Sequence, residues 1–269
     1  TFIYEADSLR SFIAFQNTGY LTAIFEGEIE NQNLHAQPIS DMIIVYHPNF
    51  KSQVEKLEAF HISKGLTVVK ATVQEIYNEF SSGMQDVSAI KTYAKMLYDK
   101  GGATPPKYLL LFGDGSFDYL SRVSPNHNFV PVWESTASLN DLTSYTSDDF
   151  FGILDDGEGM SDYDIMDVAV GRLTVKTASE AEIVVDKIIN YQKEGVSLTE
   201  THNCNSASQG NSYGDWRNIL TFVSDDVDAN WEMSFFRHTE KVIDSIKANY
   251  PVFNIEKFHM DAYKQQSTP

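Results

Sequence analysis

The sequence predicts an α/β fold: a mostly parallel sheet flanked by helices and preceded by a short β-rich segment. Three observations lead there. From Asp41 onward, apolar runs of strand length alternate with amphipathic stretches of helix length. Two of the runs, "DMIIVYH" and "KYLLLFGD", carry unbroken apolar centres, and the helical stretches up to residue 195 close on glycine. An unbroken apolar strand is one buried on both faces, which is what crossover helices produce in a parallel sheet.

Residues 1–40, with "FIAF", "YLTAIFEGEIE" and "NQNLHAQP", show short strand-like runs among Gly, Asn and Gln and no helical period; they read as the end of a preceding β-rich region and a linker closing at Pro38. "DMIIVYH" is the first strand. "FKSQVEKLEAFHISKG" follows as a helix, with Val54, Leu57, Phe60 and His61 at helical spacing and Gly65 as its stop. "LTVVKATV" is β-branched and reads as the second strand, Ser88–Lys100 as an amphipathic helix closed by Gly101 and Gly102, and "KYLLLFGD" as the third strand. A long irregular stretch from Gly115 to Asp149 interrupts the alternation; loops of that length inside a domain usually carry function. "FFGIL" and "IMDVAVGRL" are expected to be strands on either side of the acidic "DDGEGMSDYD". Thr177 caps the helix "ASEAEIVVDKIINYQKEG", with Glu180 at capping-box spacing and Gly195 at its end. After the Asn, Ser and Gly-rich segment 202–213, "WRNILTFVSDD", "RHTEKVIDSIKANY" and "VFNIEKFHM" give strand, helix, strand.

Composition bounds the function. Hydrophobic residues make up 42% of the 269, enough for a packed core, and the formal net charge of -18 argues against nucleic acid and anionic membrane surfaces as partners. The lone Cys204 excludes an internal disulfide and a multi-cysteine zinc site. There is no apolar run of about 18 residues. The start at Thr1, without an initiator Met or a signal-like segment, leads to the expectation of a piece cut from a larger protein.

In parallel sheets ligands sit at the carboxyl ends of the strands. Two acidic segments fall there. In "GDGSFD", Gly113, Asp114, Gly115, Ser116 and Asp118 read either as a structural turn, the glycines taking backbone angles other residues avoid, or as the lip of a magnesium site built on Asp114 and Asp118. In "VSDD", Asp225 and Asp226 read as a strand-end turn, or as acids that orient a histidine supplied by another element. The acids Asp148, Asp149, Asp155, Asp156, Glu158, Asp162 and Asp164 offer oxygen ligands for calcium, without EF-hand spacing, and otherwise form a solvated loop. Cys204 in "THNCNSASQG" lacks the strand-end placement that aims a thiolate. His47 and His61 read as core or edge residues and His238 as a surface residue, and Asp167 and Arg172 are expected to form an ion pair beside a buried strand.

Taken together, "PKYLLLFGDGSFDY", "SYTSDDFFGILDD", "DVAVGRLTVKTASEAEIVVDKIINYQ", "GDWRNILTFVSDD" and "MDAYKQQSTP" resemble the gingipain family of cysteine peptidases, peptidase family C25, in its branch that serves as sortase of the type IX secretion system. The resemblance runs from about residue 38 onward. It implies two adjoining α/β subdomains, the second caspase-like, with the catalytic histidine in an N-Y-x-G-H-G strand end and the cysteine at the end of the next strand. Neither motif occurs here, and none of the seven histidines is followed by glycine. The implied organisation is 1–40 as the end of the β-rich region, 41–200 as the first subdomain, and 201–269 as the start of the second, short of the dyad. Asp226 matches an acid that contacts the catalytic histidine in the family, and Asp225 is its nearest rival.

The resemblance further implies a cell-surface enzyme, outside the cytoplasm at the outer membrane, that removes the C-terminal signal domain of secreted cargo and transfers the cargo to anionic lipopolysaccharide. It implies an outer-membrane anchor protein of PorV type as partner, no nucleic acid, no required cofactor and a structural calcium as an option. Two other readings stand beside it: a non-catalytic cargo- or partner-binding module of the same fold, and a metal-dependent hydrolase using Asp114 and Asp118.

Overall fold

The computed structural model describes residues 16, 19, 24–25, 27–136, 139–140, 143–159, 161, 163–192, 215–227 and 229–264. Its main sheet has four strands, β1 (Met42–Tyr46), β2 (Val68–Thr72), β3 (Tyr108–Phe112) and β6 (Ala169–Leu173), in the order β2-β1-β3-β6. All three pairings are parallel, with Ile44 level with Lys70 and Leu110, and Leu110 level with Gly171. Helices α1 (Lys51–Ser63), α2 (Val73–Phe80), α3 (Val87–Gly101) and α4 (Ala178–Gln192) cover it. Between β3 and β6 lies a short antiparallel ribbon, β4 (Trp133–Glu134) with β5 (Thr146–Ser147).

The unbroken apolar strands have the predicted cause. On β1, Ile43 and Val45 join Val69, Leu109 and Leu111 in one buried cluster with Ile76 and Tyr77 of α2 and Ile90, Tyr93 and Leu97 of α3. Met42, Ile44 and Tyr46 point the other way, into a second cluster with Val54 and Leu57 of α1 and Ala181 and Val185 of α4. Side chains alternate across a strand, so a central strand sandwiched between helix layers calls for apolar residues on both faces, as in β1.

Three expectations are corrected. The second strand stops at Thr72: its hydroxyl accepts the Glu75 N–H while Glu75 accepts the Thr72 N–H, a full capping box that starts α2 where the β-branched run read as strand. "FFGIL" is no strand. Asp149–Phe151 is a 3-10 turn, and Phe151, Ile153 and Leu154 are buried from irregular backbone, because Gly152 sits so close to Val168 that a Cβ would lie 2.6 Å from its carbonyl oxygen. At α4 the Thr177 hydroxyl accepts the Glu180 N–H as expected, but the Glu180 carboxylate reaches back to the Lys176 N–H instead of that of Thr177.

The linker before β1 is strapped down. Leu34–Ala36 forms a 3-10 turn, and Glu79 of α2 accepts hydrogen bonds from Gln32 and from the Leu34 N–H while pairing with His35 at 2.8 Å. Gln37 donates to the Lys70 carbonyl of β2 and accepts from the Tyr93 hydroxyl. The β-rich region expected before it lies mostly outside the described residues, as do Cys204, Gly195 and the segment 202–213.

A separate pair of parallel strands, β7 (Ile219–Ser224) and β8 (Asn254–His259), is joined by α5 (Met233–Asn249). Their register sets Leu220 opposite Ile255, Phe222 opposite Lys257 and Ser224 opposite His259.

Candidate functional site at the carboxyl edges

The chain order runs β1 to β2 on one side of the main sheet and then to β3 on the other, so the strand order reverses between β1 and β3. Their carboxyl ends are His47 and Gly113, the place where open α/β sheets bind ligands. Here the long loop folds back over it. Phe129 packs its ring 4.8 Å from His47 and 5.2 Å from Phe50, and its N–H, like that of Val130, donates to the Asp114 carbonyl. Burial pushes the His47 imidazole below its usual pKa, and its Nδ1 accepts the Asn49 N–H, the edge role expected for it.

This return explains "GDGSFD". Gly113 has φ 144, and a Cβ there would lie 3.0 Å from Phe129 Cβ; at Gly115 it would lie 2.5 Å from a Val132 methyl and 2.8 Å from the Val130 carbonyl. The Ser116 hydroxyl accepts the Asp118 N–H, and the buried Asp118 carboxylate accepts the Val123 N–H at 2.6 Å. Asp114 has Lys176 Nζ 3.6 Å away. Gly113, Gly115, Ser116 and Asp118 thus serve the folding of the loop, while Asp114 faces Lys176 beyond β6.

Arg172 fastens the loop to the sheet. Its side chain donates to the carbonyls of Gly113, Val130 and Pro131 and forms two bonds to Asp148. The expected Arg172–Asp167 pair is therefore a correction: Asp167 instead accepts the Leu154 and Asp155 N–H groups, because it precedes β6 and turns toward the acidic loop.

Among the described residues one group of acids has the spacing to hold a cation: Asp155, Glu158 and Asp167, whose oxygens lie within 4.8 Å of one another. Asp148 and Asp149 are not in it. Glu158 Oε2 is buried without a hydrogen-bond partner, and burial first, then Asp167, Asp164 and Asp155, raises the Glu158 pKa. Of the other acids of that loop, Asp156 pairs with Lys95 at 2.9 Å, Asp164 accepts the Gly159 and Ser161 N–H groups, and Asp162 lies outside the described residues.

The carboxyl edge of β7 and β8 holds a denser polar arrangement. Asp225 and Asp226 follow Ser224; Asp225 accepts the Asp226 N–H at 3.1 Å, and Asp261, just beyond β8, accepts the Val227 N–H at 3.3 Å. Beneath them Ser224 Oγ lies 2.5 Å from His259 Nδ1, and His259 Nε2 lies 2.8 Å from Glu240 of α5. Lys257 donates to both Glu240 oxygens and, with His259, holds that carboxyl below its usual pKa. Sequence reasoning singled out the two aspartates and passed over Ser224, His259 and Glu240. The available signal was that "VSDD" and "KFHMD" end consecutive strands, which brings their last residues together once the strands pair in register. His238 is exposed on α5 and His61 is half-buried on α1.

The sequence pattern of Peptidase family C25 matches residues 35–269. The chain belongs to peptidase family C25. Among solved structures the C25 chain is similar to that described as "Crystal structure of dimeric latent PorU from Porphyromonas gingivalis", with 34% identity, 62% of this chain and 17% of that one covered, and a TM-score of 0.55. It is similar in fold to "Complex of Porphyromonas gingivalis RgpB pro- and mature domains", at 18% identity over 81% of this chain and 41% of that one, with a TM-score of 0.51. It thus spans less than half the length of either solved chain. No curated protein sequence matches it. The parallel sheet with helices on both faces is the C25-type α/β architecture that the sequence predicts. No helix among the described residues is long and apolar enough to cross a membrane.

Proposed function

We propose that this chain is part of a cell-surface cysteine endopeptidase of sortase type, which removes the C-terminal signal of type IX cargo and transfers the cargo to an amine on anionic lipopolysaccharide, at the outer membrane beside an anchor of PorV type. The observation that carries this reading is the 34% identity to the PorU chain, on top of the family match. In this reading residues 41–200 form the first subdomain and 201–269 open the second.

The chemistry follows from the family's cysteine and histidine, which this reading assigns to residues outside these 269; Cys204 and the seven histidines here lack the family's motif context. The thiolate attacks the carbonyl at the base of the signal and forms a thioester, and the histidinium gives its proton to the departing amine of the signal. The acyl group then passes to the lipopolysaccharide amine, or to water. Asp226 supplies a carboxylate at the carboxyl end of β7 that accepts the imidazole N–H and fixes its tautomer, with Asp225 as the rival. The loop 115–149 contributes to the surface that favours the amine over water; its position over the strand-order reversal supports this.

A structural calcium belongs to the same proposal. Asp155, Glu158 and Asp167 supply its oxygen ligands, and the buried, partnerless Glu158 oxygen supports the fit.

Intact-mass analysis of a cargo carrying its C-terminal signal tests the proposal, with this chain and the full-length protein compared. Cleavage by the full-length protein alone is expected, with the Asp226→Asn variant slower than Asp225→Asn. Binding of cargo without cleavage by either would replace it with the non-catalytic binding module.

A further inference from the structure

Ser224, His259 and Glu240 stand in a row, which suggests the serine, histidine and carboxylate of a hydrolase. Burial argues otherwise. Ser224 is 4% exposed and its hydroxyl is engaged by the imidazole, so no substrate carbonyl reaches it. The imidazole is itself enclosed, with 16% of the side chain exposed and the Phe236 ring set edge-on 4.7 Å away.

What the row can do is hold a turn. The residues directly after Ser224 are Asp225 and Asp226, and Val227 at the far side of that turn is fastened to Asp261. Glu240 accepts only, so with a neutral ring His259 donates from Nε2 and its Nδ1 accepts a hydrogen bond from the Ser224 hydroxyl. Every link has its own support: α5 supplies Glu240, β8 supplies His259 and Lys257, and β7 supplies Ser224.

We propose that His259, held by Glu240, is a positioning residue that acts through Ser224 to fix the aim of the Asp225–Asp226 turn. This rests on the reading of Asp226 as the acid that orients the peptidase histidine. Neither the serine nor the histidine touches substrate. Together they set the end of β7, and small displacements of an orienting group lower the rate of the chemical step much more than they weaken substrate binding.

The test uses the full-length protein and steady-state cleavage of a signal-bearing cargo by wild type, His259→Phe, Glu240→Gln and Ser224→Ala. Glu240→Gln keeps size and an acceptor oxygen, which covers the case in which His259→Phe fails to fold. Expected is a fall in kcat of about tenfold to a hundredfold with KM unchanged. A merely structural role lowers the melting temperature and leaves kcat of the folded fraction as it was. Wild-type cleavage with unchanged kcat in Glu240→Gln and Ser224→Ala overturns this inference alone. A wild-type protein that does not cleave overturns the peptidase reading, and the inference with it.

Discussion

The Arg172 guanidinium and the Asp148 carboxylate form a two-pronged ion pair, both bonds at 2.7 Å, with 7% of the arginine side chain exposed. The pair joins edge strand β6 to the end of the long loop, and further donors of Arg172 serve the Val130 and Pro131 carbonyls of the same loop and the Gly113 carbonyl at the end of β3. Removing one partner of such a pair strands the other. Arg172→Ala is therefore expected to lower the stability of the chain by about 3–5 kcal/mol, read from urea denaturation. Arg172→Lys keeps the charge without the planar fork and should fall between. A midpoint unchanged in Arg172→Ala would show that the loop is held by other means.

Gly115 is wedged against the returning loop. Gly115→Ala should cost about 1–3 kcal/mol through the clash with Val132 and Val130, while Gly159→Ala, where an added methyl meets nothing within 4 Å, serves as the control and stays within about 0.5 kcal/mol. Thermal melts of the two variants side by side give the comparison; equal melts would mean that the loop does not pack on Gly115.

The Thr72–Glu75 capping box starts α2. Thr72→Ala is expected to destabilise by about 1 kcal/mol and Thr72→Ser to restore most of it. Hydrogen exchange of the first-turn amides of α2 should quicken in the alanine variant only.

Asp41 accepts the Thr67 N–H and hydroxyl and pairs with Lys107; these bonds, the Thr67 backbone first, lower its pKa to about 2. A carboxyl whose folded pKa is depressed binds its proton more readily when unfolded. Its contribution is thus present above the unfolded value of about 3.9 and lost as pH falls toward about 2. Asp41→Asn should flatten stability against pH in that window, and an unaltered profile would mean that Asp41 plays no part in it.

If Asp155, Glu158 and Asp167 hold calcium, calcium at about a hundred times its dissociation constant adds about 2.7 kcal/mol of stability. Glu158→Gln should abolish the rise in melting temperature. A wild-type melt indifferent to calcium would remove the metal from the proposal.

Much of the fold was legible because burial on both faces writes itself into single strands. The runs at Met42–Tyr46 and Tyr108–Phe112 could hardly be surface segments, and the glycine stops marked where α1 and α3 end. Where two physical signals competed, the reading failed. Val73 continues a β-branched run, yet the cap formed by Thr72 and Glu75 starts a helix there. "FFGIL" is apolar because Phe151 and Leu154 fill a core from a turn. The site was less legible because it depends on register and long-range return. Arg172 finds Asp148 across the loop instead of Asp167 nearby, and nothing in the local sequence of Ser224 announces His259 beside it.

Gln37 gives the main sheet two unlike flanks. By bonding the carbonyl of Lys70, the linker occupies one acceptor on the β2 flank, which a stray strand from another molecule then cannot use. Among the described residues no strand pairs on the outer side of β6. The linker thus does for one acceptor of the β2 flank what a neighbouring strand would do, and the two flanks of the sheet differ in that respect among the described residues.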